Sequence, residues 1–94
     1  MTLIWTRVAI RSRERQIDYI AERKPGAAAR PEQRIVDATD QLLDHPQLGR
    51  VARLRGTREL VVARTPYIVI YEIDGDIIRI LHVLHSAQRW PPIH

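Results

Sequence analysis

Hydrophobic positions crowd the second half of the chain into three runs of strand length, residues 58–63, 67–73 and 77–85. Arg64-Thr65-Pro66 separates the first two, and Asp74-Gly75-Asp76 the last two. Pro66 has no N–H to give to a ladder and belongs in a turn. Asp74-Gly75 supplies residues that tolerate the positive φ of a tight hairpin. The pattern predicts an antiparallel three-stranded meander. On its second strand Tyr67, Val69, Tyr71 and Ile73 alternate with Ile68 and Ile70, so both faces are apolar. Such a sheet needs one cover from its own chain and invites a second from a partner.

The first half has a different period. Thr2 to Thr6 reads as a short strand, with Leu3 and Trp5 on one face and Ile4 on the other. Thr6 suits an N-cap, and Arg7 to Arg23 reads as a helix with Ile10, Ile17, Ile20 and Ala21 on one stripe, interrupted by Arg13 and Glu14. Lys24-Pro25-Gly26 stops it. A second helix running to about Asp44 places Ile35, Ala38, Thr39, Leu42 and Leu43 at helical spacing. Its start has two readings: Pro31 at the first helical position, or a helix from Gly26 with a bend. His45-Pro46 closes it, and residues 46–56 read as an irregular basic connector. The order strand, helix, helix, strand, strand, strand predicts a two-layer α+β domain over residues 1–94. A helical hairpin packs on one face of a mainly antiparallel sheet, and the first strand joins an edge. The expected core is Leu3, Trp5, Ile17, Ile35, Leu42, Leu60, Val62, Ile70 and Leu81.

Composition adds constraints. Ninety-four residues are enough for one domain with a modest core, and no cysteine is present to staple it or to bind a metal. The N-terminal segment is unlike a signal peptide and no apolar run is long enough to span a membrane, so a cytoplasmic protein is expected. Lys24 is the only lysine, so arginine accounts for 14 of the 15 basic residues. The net charge of +4 favours an acidic or nucleic-acid partner. Residues 14–44 carry seven acids, whereas Arg50, Arg53, Arg55 and Arg58 follow one another with no acid between them.

At this point the chain resembles the RelE/ParE toxin superfamily, the toxin half of bacterial type II toxin–antitoxin modules. The resemblance covers nearly the whole chain. It is carried by Trp5-Thr6, Asp18-Tyr19-Ile20-Ala21-Glu22-Arg23, His45-Pro46 with Gly49-Arg50, and Gly56-Thr57-Arg58-Glu59-Leu60-Val61. Pro66-Tyr67-Ile68-Val69-Ile70-Tyr71, Val83-Leu84-His85 and Gln88-Arg89-Trp90-Pro91 complete it. The family's fold is the same β-α-α-β-β-β order. Its RelE-like members cleave mRNA on the ribosome with cations on the sheet, and its ParE-like members inhibit DNA gyrase. Where the RelE pattern has cations, this chain has Glu59, Val61 and Ile68, and no tyrosine follows Tyr71. RNA cleavage needs a base, an acid and charge stabilisation of the phosphorane. The resemblance therefore implies a ParE-like, plasmid-stabilisation type of toxin acting on gyrase, with a ribosome-dependent mRNA endoribonuclease and an inactivated, nucleic-acid-binding relic as alternatives. It also implies a cognate antitoxin with an acidic, flexible C-terminal segment, through which alone the toxin would reach DNA.

Residues with candidate roles can be named. His82 and His85 are three apart and face opposite sides of a regular strand, so they make a poor metal pair; no metal or cofactor is expected. Arg79 and His85 share a face by even separation and, with Arg89, form the one constellation with nuclease chemistry. Arg50, Arg53, Arg55, Arg58, Arg64, Arg89 and Trp90 are candidates for contact with target or antitoxin; the connector arginines read equally well as a solvated loop face. Tyr67 and Tyr71 read as core or rim.

Overall fold

The strand runs fold as their alternation predicts. The elements are β1 (Thr2–Trp5), α1 (Arg7–Arg23), α2 (Ala29–Asp40), β2 (Arg50–Val51), β3 (Thr57–Val61), β4 (Tyr67–Asp74) and β5 (Ile77–His85). The computed structural model describes residues 1–23, 29–88 and 90–91, so the Lys24-Pro25-Gly26 stop lies outside the described residues. One five-stranded sheet has the order β1-β5-β4-β3-β2. β1 takes an edge and runs parallel to β5; the other pairs are antiparallel. The two helices lie on one face, giving two layers.

Turn chemistry sets the meander. Gly75 has φ 57°, and the hairpin closes with Asp74 opposite Ile77. In the β3–β4 turn Arg64 itself has φ 63°. Thr65 holds that turn: its hydroxyl donates to the Val62 carbonyl at 2.9 Å and accepts the Tyr67 N–H at 3.1 Å. The constrained turn offsets a left-handed backbone that costs a non-glycine residue about 1–2 kcal/mol.

The core lies between helices and sheet. Ile35, Leu42, Val62, Tyr67, Val69, Tyr71, Ile78, Ile80 and Val83 are buried in it, with Leu3, Trp5 and Ile17 packed around them. Thr6 caps α1 as expected. Its hydroxyl accepts the Ala9 N–H at 3.1 Å and donates to the Ile80 carbonyl at 2.7 Å, fastening the helix start to β5. Arg13, which seemed to interrupt the apolar stripe, lies 4.5 Å over the Trp5 ring and extends the packing as a cation–π contact.

Several expectations need correction. Pro31 is not the first helical residue: α2 spans Ala29–Asp40, and Pro31 falls in its first turn, where an N–H has no intrahelical acceptor; the alternative start at Gly26 lies outside the described residues. The helix ends at Asp40, earlier than expected, and tightens into a 3-10 turn over Gln41–Leu43. That change of pitch buries Leu42 and leaves Leu43 at 40% exposure. The basic connector is not wholly irregular, because Arg50 and Val51 pair with Glu59 and Arg58.

The largest correction is a β-bulge. Ile70 of β4 faces His82 and Tyr71 faces Ile80, so Leu81 is the extra residue. It drops out of the predicted core; Ile78, Ile80 and Val83 take the core positions. Ile70 is fully buried, but it sits on the opposite face. Beyond the bulge, Ser12 of α1 accepts the Val83 N–H at 2.9 Å and donates to the Ala9 carbonyl at 3.0 Å. Ser12 is 3% exposed. Ser12→Ala should cost about 1–3 kcal/mol, because it strands a buried N–H. A urea midpoint indistinguishable from the parent protein would contradict that role.

Candidate functional site: an arginine-bordered open sheet face

The bulge decides which candidates share a face. Arg79 pairs opposite Glu72, away from the core residues Ile78 and Ile80, whereas His85 pairs opposite Tyr67 on the helix side. The two therefore lie on opposite faces, and the expected constellation of Arg79, His85 and Arg89 is not assembled. Arg89 lies outside the described residues. Arg79 is bound to Asp74 at 2.8 Å and to Glu72 at 3.3 Å, and these bonds hold its guanidinium firmly charged. The ring of His85 meets Tyr67 edge-on at 6.2 Å, and its Nδ1 accepts the Ala87 N–H at 3.1 Å. Among the described residues no cluster of three or more metal-ligating side chains exists.

The open face is built from the side chains that alternate with the core. Glu59 and Val61 of β3 stand opposite Ile70 and Ile68 of β4, and Ile68 stands opposite Leu84 of β5. A cavity of about 310 Å³ lies there, lined in part by Arg50, Arg53, Glu59, Ile68, Leu84 and Trp90. Arg50 closes on Glu59 with two hydrogen bonds, Nη2 at 2.8 Å and Nε at 3.0 Å. The pair joins β2 to β3 directly across the ladder. Its arginine is largely exposed, so its worth is at most about 1 kcal/mol.

This face is not left bare. Trp90 folds back and stacks on His82 with centroids 5.8 Å apart and planes 26° from parallel. Ile70 and Leu84 are already buried within the chain. The sheet therefore asks less of a partner than its two apolar faces suggested. Trp90 Nε1 is buried with no hydrogen-bond acceptor among the described residues. Burial pushes the His82 imidazole below its ordinary value of 6.5, and Arg15 adds in the same direction. Above pH 6.5 His82 is neutral both folded and unfolded; as pH falls through 6.5 the unfolded chain takes up the proton more readily, so stability declines toward acid. His82→Gln should flatten this acid-side fall. Parallel melting curves of the two proteins between pH 7.5 and 5 would refute it.

The connector that carries the arginines is anchored from beneath. The Tyr71 hydroxyl donates to the Pro46 carbonyl at 2.7 Å and accepts the Gly49 N–H at 2.9 Å. Burial raises the pKa of this phenol, against the lowering pull of the Gly49 bond and Arg58. Arg58 Nη1 donates to the Gly49 carbonyl at 2.7 Å, so its first task is structural. Arg53 and Arg55 remain exposed on the connector. Arg64 sits at the far end of β3, beside a groove of about 670 Å³ between α2 and β3, together with Arg34 and Arg50. Tyr67 and Tyr71 are core residues. Sequence reasoning missed Ser12, and the signal for it was weak: one small hydroxyl between Arg11 and Arg13.

A helical pair on a mixed five-stranded sheet, with an arginine-bearing connector pinned at its end, defines a small toxin domain of the RelE/ParE superfamily. The family model described as the ParE toxin of the type II toxin–antitoxin system parDE matches residues 3–90. The chain belongs to that family and is the toxin component of a type II toxin–antitoxin system. It is 44% identical over 89 residues to putative toxin Y4kP of Sinorhizobium fredii, covering 95% of this chain and 92% of that protein. It is 34% identical over 86 residues to Toxin RelE2 of Caulobacter vibrioides, covering 92% and 96%. A chain of the chromosomal ParDE system from P. aeruginosa superimposes with a TM-score of 0.82 at 27% identity, over 90% of this chain and 95% of that one. A chain of the RelBE2 toxin–antitoxin complex from Mycobacterium tuberculosis gives 0.65 at 23% identity, over 89% and 95%, a likeness of fold. No helix among the described residues is long and apolar enough to cross a membrane.

Proposed function

We propose that this toxin arrests growth by inhibiting DNA gyrase through protein–protein contact rather than by cutting RNA, and that it acts in the cytoplasm until a cognate antitoxin silences it. One observation carries the reading. The open-face positions that correspond to the cations of RelE-like nucleases hold Glu59, Val61 and Ile68, side by side in the ladder. Glu59 engages Arg50, and Trp90 lies against the same face. An acid and two hydrophobes supply neither a general base for a 2′-hydroxyl nor charge for a phosphorane. Arg50, Arg53 and Arg55 offer a basic rim for a protein target instead.

A second reading, the ribosome-dependent endoribonuclease, draws on the name of the Caulobacter relative. Induced expression separates the two. Filamentation with an SOS response, and loss of supercoiling by purified gyrase, are expected. Codon-phased transcript cuts that vanish in His85→Ala would overturn the gyrase reading.

The antitoxin has a natural seat in the groove between α2 and β3. β2 stops opposite Glu59, so beyond it β3 has β4 on one side and, among the described residues, no strand on the other, and Leu48 and Val61 are exposed there between Arg34, Arg50 and Arg64. An acidic, disordered segment could add backbone hydrogen bonds to that edge while its carboxylates meet the arginines. The association rate should fall as salt rises. A rate independent of salt, or full affinity in an Arg34→Glu variant, would place the antitoxin elsewhere.

A further inference from the structure

The hairpin that joins β2 to β3 ends in a tip, residues 52–56, that is held in one shape and still turns apolar side chains to solvent. The Ala52 N–H donates to the Thr57 carbonyl at 2.9 Å. The Thr57 N–H and hydroxyl both donate to the Leu54 carbonyl, at 3.1 Å and 2.6 Å. Ala52 and Thr57 are buried at its base. Gly56 closes the turn at φ +84° with nothing near its Cβ position. A partner that grips a loop so bonded forfeits little conformational entropy. Beside the base, Val51, Gln47, Arg58 and Ile73 line a cavity of about 390 Å³.

Val51 is 71% exposed and Leu54 42%, and neither belongs to the core. Two exposed aliphatics alone would be ordinary surface. Here unspent cations flank them. Arg50 is taken by Glu59 and Arg58 by the Gly49 carbonyl, but Arg53 and Arg55 are exposed and form no ion pair among the described residues. No acid stands between Arg50 and Glu59 in the chain to offset them. An apolar centre between two cations complements a protein surface whose apolar cleft is edged with carboxylates. A phosphate backbone fits less well, since two cations neutralise only two phosphates and the aliphatic side chains gain nothing there. The tip also stands clear of the antitoxin's groove. It meets β3 at Thr57, whereas Val61, in the groove, lies roughly 13 Å further along the strand.

We propose that this tip is the part of the toxin that grips its target, seating Val51 and Leu54 in an apolar cleft of a protein whose acidic rim pairs with Arg53 and Arg55. The inference rests on the protein-contact reading above and adds the gripping surface and the chemistry of the partner. Two double variants test it, Arg53→Glu with Arg55→Glu and Val51→Ser with Leu54→Ser. Each is assayed for growth arrest on induction, for inhibition of purified gyrase and for affinity to the antitoxin. Both should need at least about tenfold more toxin for half-inhibition and should lose growth arrest, while the antitoxin binds them within about threefold of the parent. Arg7→Glu, a charge reversal on α1, should leave all three readouts unchanged. Melting curves check the fold, and Arg55→Ala and Leu54→Ala replace any double variant that melts early. Variants that inhibit gyrase like the parent sink the tip and leave the gyrase reading intact. Growth arrest that disappears with the tip, although the parent does not inhibit gyrase, sinks the gyrase reading and leaves the tip. A parent that arrests nothing, or that arrests growth regardless of both gyrase and the tip, ends both. A well-folded variant whose antitoxin affinity falls as far as its inhibition puts the tip in the antitoxin's seat and overturns the proposal. So does a loss confined to the arginine pair and matched by lost binding to duplex DNA or anionic vesicles.

Discussion

Gly49→Ala is expected to lower the unfolding free energy by about 2–4 kcal/mol, from overpacking and broken hydrogen bonds together. A Cβ at Gly49 would stand 2.6 Å from Tyr71 Cε1, 2.8 Å from its hydroxyl and 2.8 Å from the Glu59 carbonyl. None of these can retreat cheaply. The ring is buried and tied to Pro46 and Gly49, and the carbonyl belongs to β3. Tyr71→Phe should not rescue the variant, because it removes only the hydroxyl contact; alone it should cost about 1–3 kcal/mol through the stranded Gly49 N–H. Gly56→Ala makes a useful contrast. Its φ is +84° but nothing lies near its Cβ, so only backbone strain of about 1–2 kcal/mol is expected. Urea denaturation followed by tryptophan fluorescence ranks the variants. A Gly49→Ala protein no less stable than Gly56→Ala would contradict the close approach.

Leu42→Ala should cost about 2–5 kcal/mol, and its neighbour Leu43→Ala no more than about 0.5 kcal/mol. Leu42 is fully buried in the main core, whereas Leu43 is 40% exposed. The pair is a sharp test of the 3-10 turn over Gln41–Leu43, since the helical stripe in the sequence puts both leucines inward. Equal losses would mean that the helix continues without changing pitch.

Features with a local cause were legible in the sequence. The Asp74-Gly75 turn, the bounds of α1 with its Thr6 cap, and the two faces of β4 each follow from residues within a few positions of one another. What escaped notice depends on distant backbone. A two-residue strand such as β2 is too short to have a period. The bulge at Leu81 leaves no mark in a run of strand length without glycine or proline, yet it carries Arg79 and His85 to opposite faces and so dissolved the one nuclease constellation that even spacing suggested. The connector arginines could be named from the sequence only as a group; packing separates Arg58, spent on the Gly49 carbonyl, from the exposed Arg53 and Arg55.

The parallel pairing of β1 with β5 bears on how the chain reaches its fold. Thr2 must meet Ile77 and Trp5 must meet Ile80, while the start of α1 is fastened to the Ile80 carbonyl and its second turn to the Val83 N–H. These are contacts between the two ends of the molecule, and loop closure over so much chain is slow. During synthesis the meander's first hairpin can form early. The N-terminal strand and helix have no seat until β5 exists. A chain cut after Asp76 therefore lacks the partner of every one of these contacts, and a nascent toxin stays unfinished until β5 has been made.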